Sequence, residues 1–181
     1  RGILHLWFCL IGLSTLLTYQ HHLLDVYGGF LLAIVVFHLY REQVTPAERS
    51  TNPRIGCYYA TGALAVLALT VLTYPLGLLL LWPATALGLV AAGCFRFGGA
   101  IYRKHDGRLS FPTRLLFAPV LLGQYLSLLY YRRQCNYWDE VAPNVVIGRV
   151  LSDVEARRAV DSGIIAVLDL TSEFEEARPF R

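Results

Sequence analysis

The sequence predicts a mainly α-helical membrane protein with about five spans, followed by the start of a soluble α/β domain. Three observations support this class. The chain has 181 residues, of which 55% are hydrophobic and only 16% charged, whereas soluble domains are typically about 25% charged. Several long stretches carry no Asp, Glu, Lys or Arg at all. From Asn136 onward charged residues recur every few positions, which indicates a change from membrane to water.

Five apolar stretches are candidates for membrane spans, because about 20 mostly apolar residues cross a bilayer. They are residues 3–19, 21–40, two segments within the uncharged stretch 57–95, and 115–131. The sequence "TYPLG" (73–77) predicts the turn inside the uncharged stretch, and Pro83 then lies within a helix and could kink it. The last stretch is short and contains Pro119, so it either spans or is partly re-entrant.

The segment after residue 135 has the pattern of a strand, a helix and a second strand. "NVVIGR" (144–149) predicts a short strand and turn. Ser152 and Glu155 have the spacing of a capping box that opens a helix, and Gly163 is placed to end it. "IIAVLDL" (164–170) is a continuous apolar run, which predicts a buried strand. This order is typical of an α/β domain.

Composition narrows the possible partners and cofactors. The net charge of +3 is small and the basic residues cluster in loops, where they set membrane orientation rather than bind nucleic acid. The four cysteines are far apart and form no C-x-x-C pair, so we expect neither a metal site nor a cofactor. The absence of Met, even at position 1, leads us to expect an interior fragment of a longer protein.

The basic loops predict the topology. Loops 41–56 and 96–114 are separated by two spans and therefore share one side, which the positive-inside rule makes cytoplasmic. The start of the second span then lies at the extracytoplasmic face. We expect 115–131 to span, as its length of about 17 residues just allows, and residues 136–181 are then extracytoplasmic too. Arg132 and Arg133 argue for the opposite side, which a re-entrant segment would give.

The stretch "STLLTYQHHLLDVYGG" (14–29) places polar groups among apolar residues. If a helix includes position 21, His21 and Asp25 share one of its faces. Asp25 can then accept a hydrogen bond from one imidazole nitrogen and leave the other to act as nucleophile or base. The alternative is structural: His21 and His22 would be interfacial residues, and Asp25 a charge that the helix dipole favours.

The spacing of this stretch resembles the last motif of the type 2 phosphatidic acid phosphatase superfamily, S-R-x-x-x-x-x-H-x-x-x-D. Ser14, His21 and Asp25 match its fixed positions, over a similarity that covers roughly residues 3–40. The resemblance implies that His21 is the nucleophile, Asp25 its orienting partner, and Ser14 and His22 substrate-binding residues. Thr15 replaces the motif's arginine, so one phosphate-binding cation is missing there. The family's two earlier motifs, with Lys and Arg-Pro and with P-S-G-H, do not occur in the chain.

Residues 136–181 resemble the opening of dual-specificity protein phosphatases. The matching residues are Pro143, Val145, Ile147, Gly148, Gly163, Ile164, Val167, Leu168 and Leu170. The catalytic signature of that family, H-C-x-x-x-x-x-R, does not occur: Cys135 follows Gln134 and precedes the first strand. Asp169 falls on or near the second predicted strand, so we expect a structural role for it. An unrelated α/β domain is the alternative.

Together the two halves resemble a bacterial fusion family. The implied domains are 1–40, the C-terminal part of a lipid-phosphatase-like membrane domain; 41–135, additional helices and basic loops; and 136–181, the truncated start of a dual-specificity phosphatase domain.

The implied protein is an integral phosphatase or phosphotransferase of the bacterial plasma membrane. It would act on a lipid-linked phosphomonoester or pyrophosphate through a phosphohistidine, and this fragment would be inactive because both sites are incomplete. The alternative is a non-catalytic transporter or channel subunit with a soluble tail, in which His21 and Asp25 form a proton-coupled or structural pair. Substrate, acceptor and oligomeric state stay open.

Overall fold

The computed structural model describes residues 2–18, 23–40 and 51–181. Within them the predicted mainly helical fold is confirmed. The α-helices are α1 (Gly2–Leu17), α2 (Leu23–Leu39), α3 (Pro53–Leu72), α4 (Leu81–Ala92), α5 (Phe111–Arg132) and α6 (Asp153–Asp161). One antiparallel pair of strands, β1 (Trp138–Ala142) and β2 (Val145–Gly148), forms the sheet of the described residues.

The structure does not support about five membrane spans. Two helical segments of the described residues are long and apolar enough to cross a bilayer: α3, and the segment Leu76–Tyr102 that contains α4. Helices α1 and α2 are apolar but have only 16 and 17 residues, about 25 Å at a rise of 1.5 Å per residue. Helix α5 has 22 residues but is not among those apolar enough to span, since arginine, glutamine and tyrosine dilute its apolar character.

Local capping explains where the two long segments begin. Helix α3 starts at Pro53, before the predicted Cys57, because the side chain of Asn52 accepts a hydrogen bond from the Ile55 amide at 3.2 Å and proline suits the first helical position. The predicted turn at 73–77 is confirmed, and a 3₁₀ segment (Leu76–Leu80) leads from it into α4. Pro83 lies in the first turn of α4, where amides have no intrahelical partner, so no kink is needed.

The basic loop after α4 is ordered by turns. A π-helical turn (Gly93–Phe97) and a 3₁₀ turn (Gly98–Tyr102) end the apolar segment. The backbones of His105 and Arg108 then exchange two hydrogen bonds of 2.9 Å. Between them, Asp106 and Gly107 have φ angles of 47° and 69°, the pair of positive angles that a two-residue hairpin turn requires.

The core lies where α5 crosses α2 and α4. Leu116 and Phe117 of α5 are fully buried, and Ile34 of α2 and Ala86 and Val90 of α4 belong to the same cluster. Outside this core most large apolar side chains are exposed, including those along α1, which has no buried residue. Such extensive apolar surface needs lipid or protein to cover it.

In residues 136–181 one predicted strand and the predicted helix cap are confirmed, and the second predicted strand is corrected. β2 lies within 144–149, and Ser152 and Glu155 form the complete capping box of α6, with Gly163 at φ 96° just beyond the helix. The strand predicted at 164–170 is wrong: these residues have no strand structure, and Ile165 is 100% exposed. A buried strand needs partners on both sides, and β1 and β2 pair only with each other.

The C-terminal segment, residues 169–181, packs on the basic loop. The Lys104 ammonium binds the Asp169 carboxylate and also donates to the Thr171 carbonyl at 3.0 Å. The Leu109 amide donates to Glu175 at 3.3 Å, and the Glu176 amide to the Gly107 carbonyl at 2.9 Å. Acidic and basic stretches that the sequence separates by more than 60 residues are therefore in contact.

Candidate active site

The predicted site residues lie around the connection between α1 and α2. Ser14 is exposed in the last turn of α1, and its hydroxyl donates to the Ile11 carbonyl at 2.8 Å. Asp25 is exposed in the first turn of α2. His21 and His22 lie outside the described residues. The register of His21 with Asp25 therefore stays a prediction, and the first turn of α2 suits a carboxylate in either interpretation of Asp25.

The start of α2 is held against the beginning of α4. The Tyr27 hydroxyl donates to the Leu79 carbonyl at 2.7 Å and accepts a hydrogen bond from the Trp82 amide at 3.2 Å. By contrast, a side chain built at Gly28 or Gly29 would have no described neighbour within 4 Å. The small residues after Asp25 therefore leave an open surface beside the predicted site.

A buried polar cluster that the sequence did not predict joins α2 to α5. His38, only 1% exposed, places Nδ1 3.1 Å from the Thr113 hydroxyl, which is 2.8 Å from the hydroxyl of Ser110, the N-cap of α5. The edge of Phe117 packs against the imidazole with ring centroids 5.4 Å apart. Nε2 is buried without a hydrogen bond in the described residues. The one sequence signal was a lone histidine near the end of an apolar helix.

We expect Thr113→Val to lower the free energy of unfolding by about 1–3 kcal/mol, because it leaves the second nitrogen of a buried imidazole unpaired. The matched control is Thr70→Val, since among the described residues the buried Thr70 hydroxyl bonds only to the Val66 carbonyl of its own helix. Denaturant unfolding of both variants in detergent micelles measures the difference. Equal stability of the two variants would contradict a stabilising role for the His38–Thr113 bond.

A second unpredicted cluster joins the end of α5 to the start of α6. The Arg149 guanidinium donates to both oxygens of Glu155, at 3.1 and 3.2 Å, and Arg132 binds the same carboxylate. Burial raises the pKa of Glu155, but hydrogen bonds from Arg149, Arg132 and Ser152 outweigh it and hold that pKa well below its usual value. The sequence identified Glu155 only as a capping residue. These arginines meet it through tertiary packing.

Asp169 is engaged within the chain, which fits the structural role expected for it. Its Oδ1 accepts hydrogen bonds from the Thr171 amide and hydroxyl, both at 2.8 Å, while Oδ2 binds Lys104. Burial raises the pKa of Asp169, and the bonds from Lys104 and Thr171 more than reverse this effect, so its pKa lies below the usual value. The carboxylate is therefore ionised and its oxygens are occupied.

Neither a group of metal ligands nor a similar known protein indicates a function for this site. Across 2–18, 23–40 and 51–181, no three His, Cys, Asp or Glu residues are grouped to hold a metal ion. No protein-family model matches the chain, and no curated protein or solved structure matches it significantly.

Proposed function

We propose that this chain is part of an integral membrane phosphatase or phosphotransferase that uses His21 as a nucleophile toward a lipid-linked phosphomonoester or pyrophosphate. The observation that carries the proposal is the spacing of Ser14, His21 and Asp25 at the entry to an apolar helix. A nucleophile, a base-orienting carboxylate and a hydroxyl at these spacings are the parts needed for attack on phosphorus.

The proposed reaction has two steps. One imidazole nitrogen of His21 attacks phosphorus, so an N–P bond forms, the P–O bond to the leaving group breaks, and the departing oxygen takes a proton from the solvent. Water, or a hydroxyl acceptor in a transferase, then attacks phosphorus, the N–P bond breaks, and the attacking oxygen releases its proton to the solvent. Asp25 accepts a hydrogen bond from the other imidazole nitrogen and stabilises the charged ring. Ser14, once its hydroxyl rotates from the Ile11 carbonyl toward the phosphate, and His22 donate hydrogen bonds to the phosphate oxygens.

The bilayer is the proposed setting, and the resemblance points to the bacterial plasma membrane. Only 17% of the apolar stretch of α3 is buried inside the protein, and only 28% of the apolar stretch of Leu76–Tyr102. A core helix of a soluble protein would hide most of such a surface, whereas a membrane helix presents it to lipid. The basic loops 41–56 and 96–114 would face the cytoplasm. Tyr27 of α2 contacts Leu79 and Trp82 beside the turn 73–77, at the opposite end of the two spanning segments, so the His21–Asp25 site is proposed at the extracytoplasmic face.

Helix α5 is better explained without a crossing. It is one continuous helix through Pro119 rather than a re-entrant loop. Arg114 in its first turn lies 3.7 Å from Glu175, while Arg132 in its last turn binds Glu155, so one polar segment contacts both ends of the helix. An extended segment cannot pass through lipid beside a spanning helix. We therefore place 136–181 on the side of loop 96–114, unlike the spanning form that the sequence favoured.

Reporter fusions test this topology. Alkaline phosphatase, which matures only outside the cytoplasm, is expected to be inactive after Trp138 and in loop 96–114 but active in the turn 73–77. The turn fusion is the positive control, because it follows α3 on the opposite side. Activity in the loop would overturn the whole orientation. Activity after Trp138 with a silent loop would show that α5 crosses.

The function is tested with the protein from the complete reading frame, since the chain contains neither the Lys and Arg-Pro motif nor the P-S-G-H motif. Purified in detergent, it is expected to release phosphate from phosphatidic acid or from an isoprenyl pyrophosphate, or to transfer it to an added alcohol. Absence of release and transfer from both substrates would contradict the proposal.

A non-catalytic transporter or channel subunit is the second candidate. The observation in its favour is His38, an ionisable side chain buried between α2 and α5, because such residues often line proton or ion pathways. Proton movement into vesicles that depends on His38, without phosphate release, would favour this candidate.

A further inference from the structure

A cavity of about 670 Å³ lies at the C-terminal end of α5, within the size range of small-molecule sites. Its polar lining is rich in arginine: Arg132 and Arg133 come from the end of the helix and Arg149 from the segment after β2. Tyr137 and Trp138 are the aromatic residues of the lining, and Cys135 and Glu155 also line the cavity. Neither Ser14 nor Asp25 lines this cavity.

The charges of the lining do not cancel. Glu155 is the only acidic residue among those that line the cavity, and it faces three arginines. Its carboxylate is already saturated, since Arg149 donates to both of its oxygens and the Ser152 amide donates to Oε2 at 2.8 Å. The lining therefore keeps a net positive charge of two, with the one carboxylate fully engaged in positioning Arg149 and Arg132.

Donors remain for a ligand. Within the described residues the exposed Arg133 makes no side-chain hydrogen bond or ion pair, although it lines the cavity. Arg149, whose terminal nitrogens bind Glu155 and whose Nε is buried, contributes positive charge to the wall rather than a free donor. The Arg149 guanidinium lies over the Tyr137 ring at 5.0 Å, a stacking contact that limits its motion. Oriented guanidinium groups with unused N–H donors suit the oxygens of a phosphate.

We propose that this cavity binds the phosphate group of an anionic ligand, with Arg133 as its main hydrogen-bonding contact and with Arg149 and Arg132 supplying positive charge from the wall. The exposed aromatic side chains nearby, Tyr130, Tyr131 and Tyr137, are of the kind that lie at a membrane–water interface. A phospholipid headgroup and a soluble phosphate share the chemistry that the arginines recognise. The experiment separates these two sources.

Cys135 gives a local readout of occupancy, because it is exposed and lines the cavity. In a Cys9→Ala, Cys57→Ala, Cys94→Ala background it is the one remaining thiol of the four. The chain is reconstituted in phosphatidylcholine nanodiscs, and the rate of Cys135 alkylation by a neutral maleimide is followed. One arm titrates inorganic phosphate at constant ionic strength. The other adds phosphatidic acid to the disc, with oleate as a lipid of like charge that lacks phosphate.

Phosphate, phosphatidic acid or both are expected to slow alkylation, and oleate is not. Protection by the lipid alone identifies a headgroup site, and protection by inorganic phosphate alone a soluble ligand. Arg133→Gln is expected to weaken protection about tenfold, the loss of one charge-assisted bond. Arg157→Gln, an exposed arginine of α6 outside the lining, removes the same charge and is expected to leave protection unchanged.

Three results would overturn the proposal. One is the absence of protection in both arms. Another is protection by oleate equal to that by phosphatidic acid, which would show attraction to surface charge alone. The third is equal weakening by Arg133→Gln and Arg157→Gln, which would show that net charge rather than the cavity governs the effect.

Discussion

Replacing His21 by alanine is expected to abolish phosphate release by the protein from the complete reading frame, whereas His22→Ala is expected to leave a measurable fraction. The reason is register, since only His21 stands seven residues after Ser14 and four before Asp25. No neighbouring side chain can replace a covalent nucleophile. Other groups can partly compensate for the loss of a residue that only contacts the phosphate. Initial rates with phosphatidic acid in detergent micelles measure the effect.

Two further measurements make this prediction specific. Brief reaction with ³²P-labelled substrate, followed by an alkaline quench, should trap label on the wild type and on His22→Ala but not on His21→Ala. The control variant His5→Ala replaces an exposed histidine of α1 outside the motif, and it should keep full activity. An inactive His22 variant beside an active His21 variant would show that the motif alignment is off by one residue.

The features that the sequence predicted correctly are those that depend on short-range chemistry. Ser152 and Glu155 form their capping box because both partners are within one helical turn, and the turn at 73–77 forms because proline and glycine break the helix locally. The helical content follows from long apolar runs in the same way. None of these elements needs a distant partner, so the local pattern contains the necessary information.

The features that were missed depend on contacts between distant residues. His38 meets Thr113 across 75 positions, and Glu155 meets Arg132 across 23. The predicted strand at 164–170 failed for the same reason, since β propensity alone cannot supply the neighbouring strands that a buried strand requires. The structure supports fewer spans than the sequence predicted, because α1 and α2 are shorter than their apolar stretches and α5 is more polar than a spanning helix.

The candidate site shows both situations at once. Spacing alone brought Ser14, His21 and Asp25 together as one motif, and the structure adds that Ser14 and Asp25 are exposed at the end of α1 and the start of α2. The arginine-lined cavity had no such motif, because Arg132, Arg133 and Arg149 converge only after α5 and β2 have folded. A site built from separate elements therefore has no local sequence pattern that predicts it.

Asp25→Asn is expected to lower the turnover of the full protein by several orders of magnitude while the fold is kept, because an amide has the size of the carboxylate but neither fixes the imidazole tautomer nor stabilises its charged form. The corresponding change in a catalytic triad costs about 10⁴ in turnover. Asp25 lies exposed in the first turn of α2, so the amide does not create a buried defect.

The matched control is Asp161→Asn at the end of α6, exposed and outside the motif, which should keep wild-type rates. Turnover is compared at equal amounts of membrane-inserted protein. If Asp25→Asn and Asp161→Asn are equally active, Asp25 is only a helix-terminal charge, and the structural interpretation of this motif replaces the catalytic one.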